Sequence, residues 1–354
     1  MKMIQSRHAF ILTLFRSNTG KIKEYIKDLE IPRIRTAVQF GFAAFCLYTG
    51  YRFYLFYLWT QGQSETYVNR PPSVEGFLPI SALLGLKRLV LTGQWDHVHP
   101  AGLTILIAAI FIALILRKGF CGWICPVGFV SNIIEKISKP VRFTGSLPKL
   151  LEYPLLSLKY LLLGFFLYII LLKMDFSSIE AFLNSPYNLV ADAKMLQFFL
   201  QPSDLTIAVI GCLFLISIVI RNFWCRYLCP YGALLGLLAV FSPVQVRRRA
   251  SQCIDCKKCE NICPASIRIT GVETVRHAEC IGCMECIEAC PQENCLSIRT
   301  FSKRQLPTYA VPLAVIGIFI LFYTAAVLTG HWHTSIPPEM LKRLYQSAST
   351  FTHP

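Results

Sequence analysis

The chain has 354 residues, of which 54% are hydrophobic and only 16% are charged, whereas a soluble domain carries about 25% charged residues. This composition excludes an ordinary soluble enzyme, a disordered chain and a small secreted scaffold. The net charge of +15 would suit nucleic-acid binding, but in so apolar a chain we attribute it to basic residues retained on one side of a membrane, and no nucleic-acid partner is expected.

Five apolar stretches approach or reach the length that a helix needs to cross a bilayer core of about 30 Å. They are Ala37–Leu58, Ala101–Leu116, Leu155–Leu172, Leu205–Ile220 and Val311–Thr329. A sixth stretch, Leu78–Leu91, contains Lys87 and Arg88, and its length favours an interfacial or re-entrant helix. With the N-terminus inside, 26 of the 35 basic residues lie inside and 7 lie outside. This asymmetry predicts a cytoplasmic N-terminus and an extracytoplasmic C-terminus.

Two matching motifs follow the second and fourth apolar stretches. RKGFCGWICPVG at 117–128 and RNFWCRYLCPYG at 221–232 share their arginine, cysteines, proline and last glycine at an offset of 104 residues. The membrane region is therefore predicted to be duplicated. Cysteines at i and i+4 share one helix face, so two such helices would offer four thiolates to one further redox centre. These are Cys121, Cys125, Cys225 and Cys229.

This CxxxCP centre has several chemical interpretations. An iron–sulfur cluster is the first expectation, because the same chain carries other iron–sulfur motifs. Copper or another soft metal, a reversible disulfide, and simple packing of buried thiols are the alternatives.

The next motifs, CIDCKKCENICP at 253–264 and CIGCMECIEACP at 280–291, both read C-x2-C-x2-C-x3-C-P. In bacterial ferredoxins of this spacing, the fourth cysteine of each motif binds the cluster of the other motif. The spacing therefore predicts two 4Fe–4S clusters. Cluster 1 is assigned to Cys253, Cys256, Cys259 and Cys290, and cluster 2 to Cys280, Cys283, Cys286 and Cys263. A pair of zinc ribbons would have no use for the third cysteine of each motif.

Three of the fifteen cysteines remain outside these sets. Cys46 and Cys212 lie inside apolar stretches and are interpreted as buried hydrophobic residues. Cys295, just after the second ferredoxin motif, receives no role.

A multispan chain with two CxxxCP motifs and a two-cluster ferredoxin insertion resembles the NapH type of quinol dehydrogenase membrane subunit. The membrane part of the NosR type, associated with nitrous oxide reduction, has the same core. RPPSVEGFLPISAL at 70–83 and HPAGL at 99–103 also resemble this family. The resemblance covers about residues 37–330 and implies electron transfer between quinol, clusters and a partner. Unlike the NosR type, only 36 residues precede the first predicted span, so no flavin is expected.

The predicted fold class is mainly α: a polytopic membrane bundle of about five spans, internally duplicated, with an inserted α+β ferredoxin domain of the bacterial two-cluster type. The predicted segments are a basic cytoplasmic segment 1–36, a membrane region 37–250, a ferredoxin domain 251–300, a final transmembrane helix 301–330 and an extracytoplasmic tail 331–354. We expect this multi-pass protein in the inner (cytoplasmic) membrane of a prokaryote, with the ferredoxin domain cytoplasmic.

Candidate quinol-binding residues lie at the predicted extracytoplasmic face. Glu75 is a candidate proton acceptor, and His97 and His99 precede the second span. His331 and His333 follow the last span, so these four histidines are candidates for a quinol head-group pocket, a metal site or haem ligands. Histidines are also common at membrane interfaces without any such role. No span carries two histidines at haem spacing, so no haem is expected.

The leading hypothesis is a membrane-bound protein that relays electrons between the quinone pool and a partner, such as a reductase, a ferredoxin-like subunit or a cytochrome. It would be an electron-transfer subunit or a quinol dehydrogenase component more than a stand-alone enzyme. The alternative is a maturation or metal-reducing factor that uses the CxxxCP thiolates to assemble a metalloenzyme. A regulatory sensor is not expected, because the tail 331–354 is too short for an output domain.

Overall fold

The computed structural model describes residues 30–138, 148–301 and 304–351, so most of the predicted segment 1–36 lies outside the described residues. The membrane region is helical. Its helices are α1 Ile31–Thr60, α2 Pro79–Thr92, α3 Pro100–Leu116, α4 Pro126–Ser138, α5 Lys149–Leu167, α6 Phe176–Leu183, α7 Pro186–Leu189, α8 Ala191–Leu200, α9 Asp204–Val219 and α10 Pro230–Ala239. Short 3-10 and π-helical turns join several of them, at Pro72–Phe77, Phe120–Ile124, Tyr168–Lys173 and Trp224–Leu228.

The chain then forms a small α+β unit and returns to helix. The elements are β1 Gln245–Arg248, a 3-10 turn Ala250–Gln252, α11 Lys258–Ile262, β2 Thr274–Val275, α12 Glu285–Glu288, β3 Leu296–Arg299, β4 Gln305–Leu306, α13 Ala310–Leu328, α14 Pro338–Gln346 and a 3-10 turn Ala348–Thr350. Among the described residues, the strands form one antiparallel sheet in the order β2-β1-β3-β4. Val246 of β1 lies opposite Val275 on one side and Ile298 on the other.

In the described part of the chain, two helical segments are long and apolar enough to cross a membrane, namely Leu150–Lys173 and Ala310–Leu328. Helices α8 and α9 meet at 79° and would raise the number to three if together they form one span. Helix α3 is apolar but only 17 residues long. These findings indicate a membrane protein, and the count of five spans stays a prediction.

Helix α3 lies in the centre of the bundle. It packs against α2, α10 and α13, and its alanines, Ala108, Ala109 and Ala113, are almost fully buried because neighbouring helices approach closely there. The same hydrophobic core continues past the end of α3 into the sheet, where it includes Val246 and Ile298. The ferredoxin-like unit therefore shares a core with the membrane bundle and is held in a fixed position beneath it.

Candidate redox centres

The two ferredoxin motifs enclose two small cavities, each with a volume of about 20 Å³. The first cavity is lined by the four cysteines predicted for cluster 1, Cys253, Cys256, Cys259 and Cys290. The second is lined by the four predicted for cluster 2, Cys263, Cys280, Cys283 and Cys286. In each cavity the fourth cysteine comes from the other motif, as in the crossed pattern that the spacing predicts. The ligand assignment itself stays a prediction.

The chain curls around both cavities in the same way. In the first motif Asp255 and Lys257 have left-handed backbone conformations, with φ of 51° and 56°. In the second motif Gly282 and Met284 occupy the equivalent positions, with φ of 62° and 66°. Left-handed residues reverse the direction of successive peptide groups. Three thiols of each loop can thereby reach one cavity.

The arrangement of the thiols in these loops fits a cluster better than a single metal ion. Burial, and next the negative charge of Glu260, raise the pKa of Cys259 to about 11, so the thiol keeps its proton until a metal replaces it. Among the described residues, no three or more His, Cys, Asp or Glu side chains converge on a point that could hold a single metal ion. The ligands of a cubane cluster bind different iron atoms and surround a volume, as these cysteines do.

The CxxxCP motifs differ from the predicted α-helical geometry. Cys121 and Cys225 lie in π-helical turns, Phe120–Ile124 and Trp224–Leu228. The N–H group of Cys125 donates to the carbonyl of Phe120 at 3.0 Å, and that of Cys229 to Trp224 at 2.9 Å. The expected i, i+4 pair on one α-helix face is therefore wrong in detail. A wider turn of this kind is frequent at functional sites.

The two motifs nevertheless have matching surroundings. A Cβ atom added to Gly128 would lie 2.7 Å from the carbonyl oxygen of Cys121, and one added to Gly232 would lie 3.6 Å from that of Cys225. The Oγ of Ser131, on the helix after the first motif, lies 3.5 Å from the Sγ of Cys225. Gly128 thus allows the helix that follows its motif to pack over the preceding turn, whereas an added Cβ atom at Gly232 would make only ordinary van der Waals contact.

All four CxxxCP cysteines line one large cavity of about 1260 Å³. Its walls are mainly apolar, with Phe42, Phe45, Phe77 and Ile320 among them. The side of the cavity formed by α1 extends from Arg35 to Arg52, which corresponds to about 25 Å of helix. The cavity therefore connects the thiols to residues near the opposite end of the bundle, including Arg70 and His333.

The first CxxxCP turn is bound to the loop of cluster 2. The indole N–H of Trp123 donates to the carbonyl of Gly282 at 3.0 Å. A Cβ atom added to Gly122 would lie only 2.4 Å from the carbonyl oxygen of Ile281. On its other side, the carbonyl of Gly122 accepts from Arg35, whose guanidinium also pairs with Glu285 at 2.6 Å.

The second CxxxCP turn is bound to the segment that carries Cys263. Arg221 donates to the carbonyls of Asn261 and Ile262 at 2.9 and 3.0 Å, and Asn222 donates to that of Pro264 at 3.1 Å. Both CxxxCP turns therefore contact chain segments that supply ligands to cluster 2. This makes cluster 2 the predicted centre that lies nearer to the membrane cavity.

A buried charge network lies beside these contacts. Glu279 pairs with Lys159 at 2.5 Å and with Lys118 at 3.3 Å, and it accepts a hydrogen bond from Tyr160 at 2.9 Å. Burial opposes ionisation of Glu279, but the two lysine charges outweigh it and lower its pKa to about 2. Lys159 belongs to the candidate span Leu150–Lys173 and is fully buried, so Glu279 neutralises a lysine that lies within a candidate span.

Among the candidate quinol residues, His333 lines the far part of the large cavity, whereas Glu75, His97 and His99 lie in different environments. Glu75 is fully buried, pairs with Arg70 at 2.7 Å and accepts from the N–H groups of Ala101 and Gly102 at the start of α3. The Nδ1 of His99 lies 3.7 Å from Glu75. His97 is exposed and holds the tail segment through its carbonyl. Among the described residues that line the large cavity, none of these three appears.

Several residues escaped the sequence reasoning. Cys295 lies on the wall of the cluster 1 cavity, and its only signal was that it stood next to a complete motif. Lys159 is visible in the sequence as a lysine within an apolar stretch, but the spacing of residues along the chain does not predict its partner Glu279. Arg117, at the start of the first CxxxCP motif, joins helix α10 to the ferredoxin unit, because its guanidinium donates to the carbonyls of Ala239 and His277.

Comparison with known proteins agrees with these sites. A family model described as a 4Fe-4S binding domain matches residues 98–144 and 205–249, which contain the CxxxCP motifs, and a 4Fe-4S dicluster domain matches 245–291. The candidate electron transport protein YccM of Escherichia coli is 40% identical over 332 residues, covering 90% of this chain and 91% of YccM. The ferredoxin-type protein NapH of Haemophilus influenzae is 30% identical over 173 residues, 47% of this chain and 55% of NapH.

The regulatory protein NosR of Stutzerimonas stutzeri is 27% identical over 193 residues, which cover 52% of this chain but only 25% of NosR. The chain belongs to the NapH/NosR-type family of polyferredoxin-like proteins. No solved structure matches it. Membership of this family, together with the apolar helices, gives the chain an iron–sulfur electron-transfer role at a membrane.

Proposed function

We propose that the chain relays electrons between the quinone pool and a soluble redox partner through two 4Fe–4S clusters and one further centre at the CxxxCP motifs. The observation that carries this proposal is the arrangement of sites. The large cavity ends at the four CxxxCP thiols, and the turns that bear these thiols contact the loops of cluster 2. When bound, iron–sulfur clusters supply one-electron transfer, for which the chain provides binding and orientation.

The exposure of the ligand cysteines indicates the order in which electrons would pass through the sites. Cys283 and Cys286 of the cluster 2 set are buried, whereas Cys256 of the cluster 1 set is exposed and its neighbour Ile254 is 60% exposed. The path therefore runs from the CxxxCP motifs to the cluster 2 loops and then to the cluster 1 loops. A soluble partner would meet the chain at Cys256.

The large cavity suits an isoprenoid quinone. Its apolar length of about 25 Å accommodates a hydrocarbon tail, and its thiol end carries polar side chains, including Ser131, Asn132 and Lys118. The quinone head group lies at this end in our proposal, because electron transfer requires it to approach the thiols closely. In this proposal Glu75, His97 and His99 are outside the head-group site, and Glu75 and His99 hold the far end of the bundle together.

Two glycines of α1 offer a direct test of the cavity. Gly41 lines it and has open space at the position of an added Cβ atom, whereas Gly50 has the same open space but is not among the described lining residues. We expect Gly41→Phe to abolish cluster reduction by a short-chain quinol while dithionite still reduces both clusters. Gly50→Phe should behave like the wild type. Unchanged quinol-dependent reduction in Gly41→Phe, together with its loss in His97→Ala, would return the head group to the opposite face.

The CxxxCP centre is tested by iron content. If it holds a 4Fe–4S cluster, the purified protein contains about twelve iron atoms, and a Cys121→Ser, Cys225→Ser double variant contains about eight. The two ferredoxin-type signals in electron paramagnetic resonance should persist in that variant. About eight iron atoms in both proteins would exclude such a cluster. Copper bound in proportion to these thiols would favour the maturation function instead.

The orientation is tested by fusions to a phosphatase that is active only outside the cytoplasm. The excess of basic residues in segments 1–36, 117–154 and 221–310 supports an N-terminus and a ferredoxin domain inside an inner membrane. A fusion after Thr329 should therefore be active, and a fusion after Ser302 should be inactive. The reverse pattern would place the ferredoxin domain outside.

A further inference from the structure

Cys295 lies outside the predicted ligand sets but lines the cavity of a ferredoxin-type candidate cluster. It lies after the second motif, is only 2% exposed, and lines the same cavity as Cys253 and Cys290. Its Sγ lies 3.8 Å from the carbonyl oxygen of Arg249, on the cavity wall that Cys253 and Cys290 also line. The cluster 1 cavity is therefore surrounded by five cysteines, although a cubane cluster uses four.

The backbone holds Cys295 in this position from both sides. The N–H group of Arg249 donates to the carbonyl of Cys295 at 2.8 Å, and the Cys295 N–H donates to the carbonyl of Gln292 at 3.3 Å. Its next neighbour, Leu296, begins strand β3 and pairs with Arg248 of β1. The sheet thereby fixes the backbone of Cys295 beside the ligand loop, so its side chain stays on the wall of the cluster 1 cavity.

The cluster 2 cavity provides an internal comparison. Its described lining contains only the four predicted ligands as cysteines, and the rest of its wall includes Ile267, Ile269 and Val275. The two sites thus share their ligand spacing but differ by one thiol. An effect of that thiol should appear at one cluster and be absent at the other.

The S–H group of Cys295 is a weak donor, and from its position on the cavity wall it can turn from the carbonyl of Arg249 to donate to a ligand sulfur. Hydrogen bonds to the ligand sulfurs are one of the factors that set the potential of an iron–sulfur cluster. Reduction adds negative charge to the sulfurs, so a donor stabilises the reduced form more than the oxidised form.

We propose that Cys295 is a positioning residue of cluster 1, whose S–H group hydrogen-bonds to the ligand sulfur of Cys253 or Cys290 and raises the reduction potential of that cluster alone. The inference rests on the proposed assignment of cluster 1 to Cys253, Cys256, Cys259 and Cys290. It needs no bond to be made or broken, since Cys295 remains a thiol.

The experiment is a redox titration of the full-length protein, followed by electron paramagnetic resonance, with the variants Cys295→Ala and Cys295→Ser. Loss of one hydrogen bond should make reduction of one cluster about fivefold less favourable, which is a fall of about 40 mV for a one-electron couple. Cys295→Ser keeps a donor and should recover most of the wild-type potential. The other cluster should keep its potential in both variants.

Cys212→Ala is the matched control, because it makes the same substitution on α9, where Cys212 is exposed among the described residues and its interpretation as a buried residue is wrong. It should leave both potentials unchanged. Two intact clusters with unchanged potentials in Cys295→Ala would overturn the inference but leave the proposed function standing. Equal shifts in Cys295→Ala and Cys295→Ser would also overturn it, because they indicate a packing effect. Absence of a second cluster from the wild type would overturn the assignment itself.

Discussion

The two ferredoxin loops have the same cysteine spacing but opposite surroundings. The first loop faces solvent, with Asp255 at a left-handed position and Cys256 exposed. The second loop carries Gly282 at the equivalent position, where an added Cβ atom would lie 3.1 Å from the carbonyl of Leu116. A side chain is tolerated where the loop meets water and is excluded where the loop meets the membrane bundle. Two motifs with the same spacing therefore hold different positions in the proposed path, one at the solvent and the other at the membrane bundle.

The largest difference between the two sites is expected when one crossed ligand is removed from each. Cys263→Ala should destroy cluster 2, because a cubane cluster with three thiolates lacks one of its bonds to the protein, and electrons from quinol should then no longer reach cluster 1. Cys290→Ala should destroy cluster 1 while cluster 2 is still reduced by quinol. Iron content and electron paramagnetic resonance after quinol addition measure both. If each substitution damages the cluster of its own motif, the crossed assignment is wrong.

A second large effect is expected at Glu279. Glu279→Gln leaves Lys118 and Lys159 buried without their carboxylate, which should cost about 3–5 kcal/mol of stability. Thermal unfolding in detergent should detect the loss, and cluster 2 should be released at a lower temperature than cluster 1. Glu273→Gln, at an exposed position of the same domain, is the control and should unfold like the wild type. Equal stability of the two variants would show that the network contributes nothing.

A smaller effect is expected where the second loop touches the CxxxCP turn. Gly122→Ala forces a methyl group to within 2.4 Å of the carbonyl of Ile281 unless the backbone moves. Overpacking of this kind costs about 1–3 kcal/mol, and transfer from the CxxxCP region to cluster 2 should slow. Gly50→Ala makes the same change in open space and should be neutral or slightly stabilising. Stopped-flow reduction by quinol compares the two variants, and identical rates would mean that this contact does not position the path.

The smallest effect should appear at the exposed loop. Arg249, Lys257 and Lys258 are exposed near Cys256, so this face should attract an acidic partner. Lys258→Glu should reduce the association rate severalfold at low salt and much less at high salt, because charges at a rim act mainly on association. Lys173→Glu makes the same charge change in the turn Tyr168–Lys173 after α5, at the predicted extracytoplasmic end, and should leave the rate unchanged. An acidic electron acceptor protein in excess, with the reoxidation of cluster 1 as the signal, provides the measurement.

The sequence was sufficient for the features that depend on local spacing. The C-x2-C-x2-C-x3-C-P motifs predicted which cysteines line each cavity, because the ligand loop is short enough for spacing to determine its geometry. The apolar stretches also predicted the positions of α3, α9 and α13 to within a few residues.

The features that depend on tertiary packing could not be predicted from the sequence. Contacts with distant segments stabilise the π-helical turns at Cys121 and Cys225. Trp123 bonds to a residue more than a hundred positions away, and Arg221 bonds to one about forty positions away. Local propensity contains no information about those partners. The same holds for Cys295, since only the pairing of β1 with β3 brings it to the cluster 1 cavity.

The pairing of Lys159 with Glu279 has a consequence for how the protein is made. Lys159 lies in a helix long enough to span the membrane, and Glu279 is synthesised more than a hundred residues later, in the ferredoxin unit. A lysine at membrane depth is costly until its partner arrives. Glu279 precedes Cys280 of the cluster 2 loop, so the folding of that loop also completes the membrane bundle. Biogenesis is thereby ordered: helix α5 reaches its final state only when the domain that carries the clusters has docked beneath it.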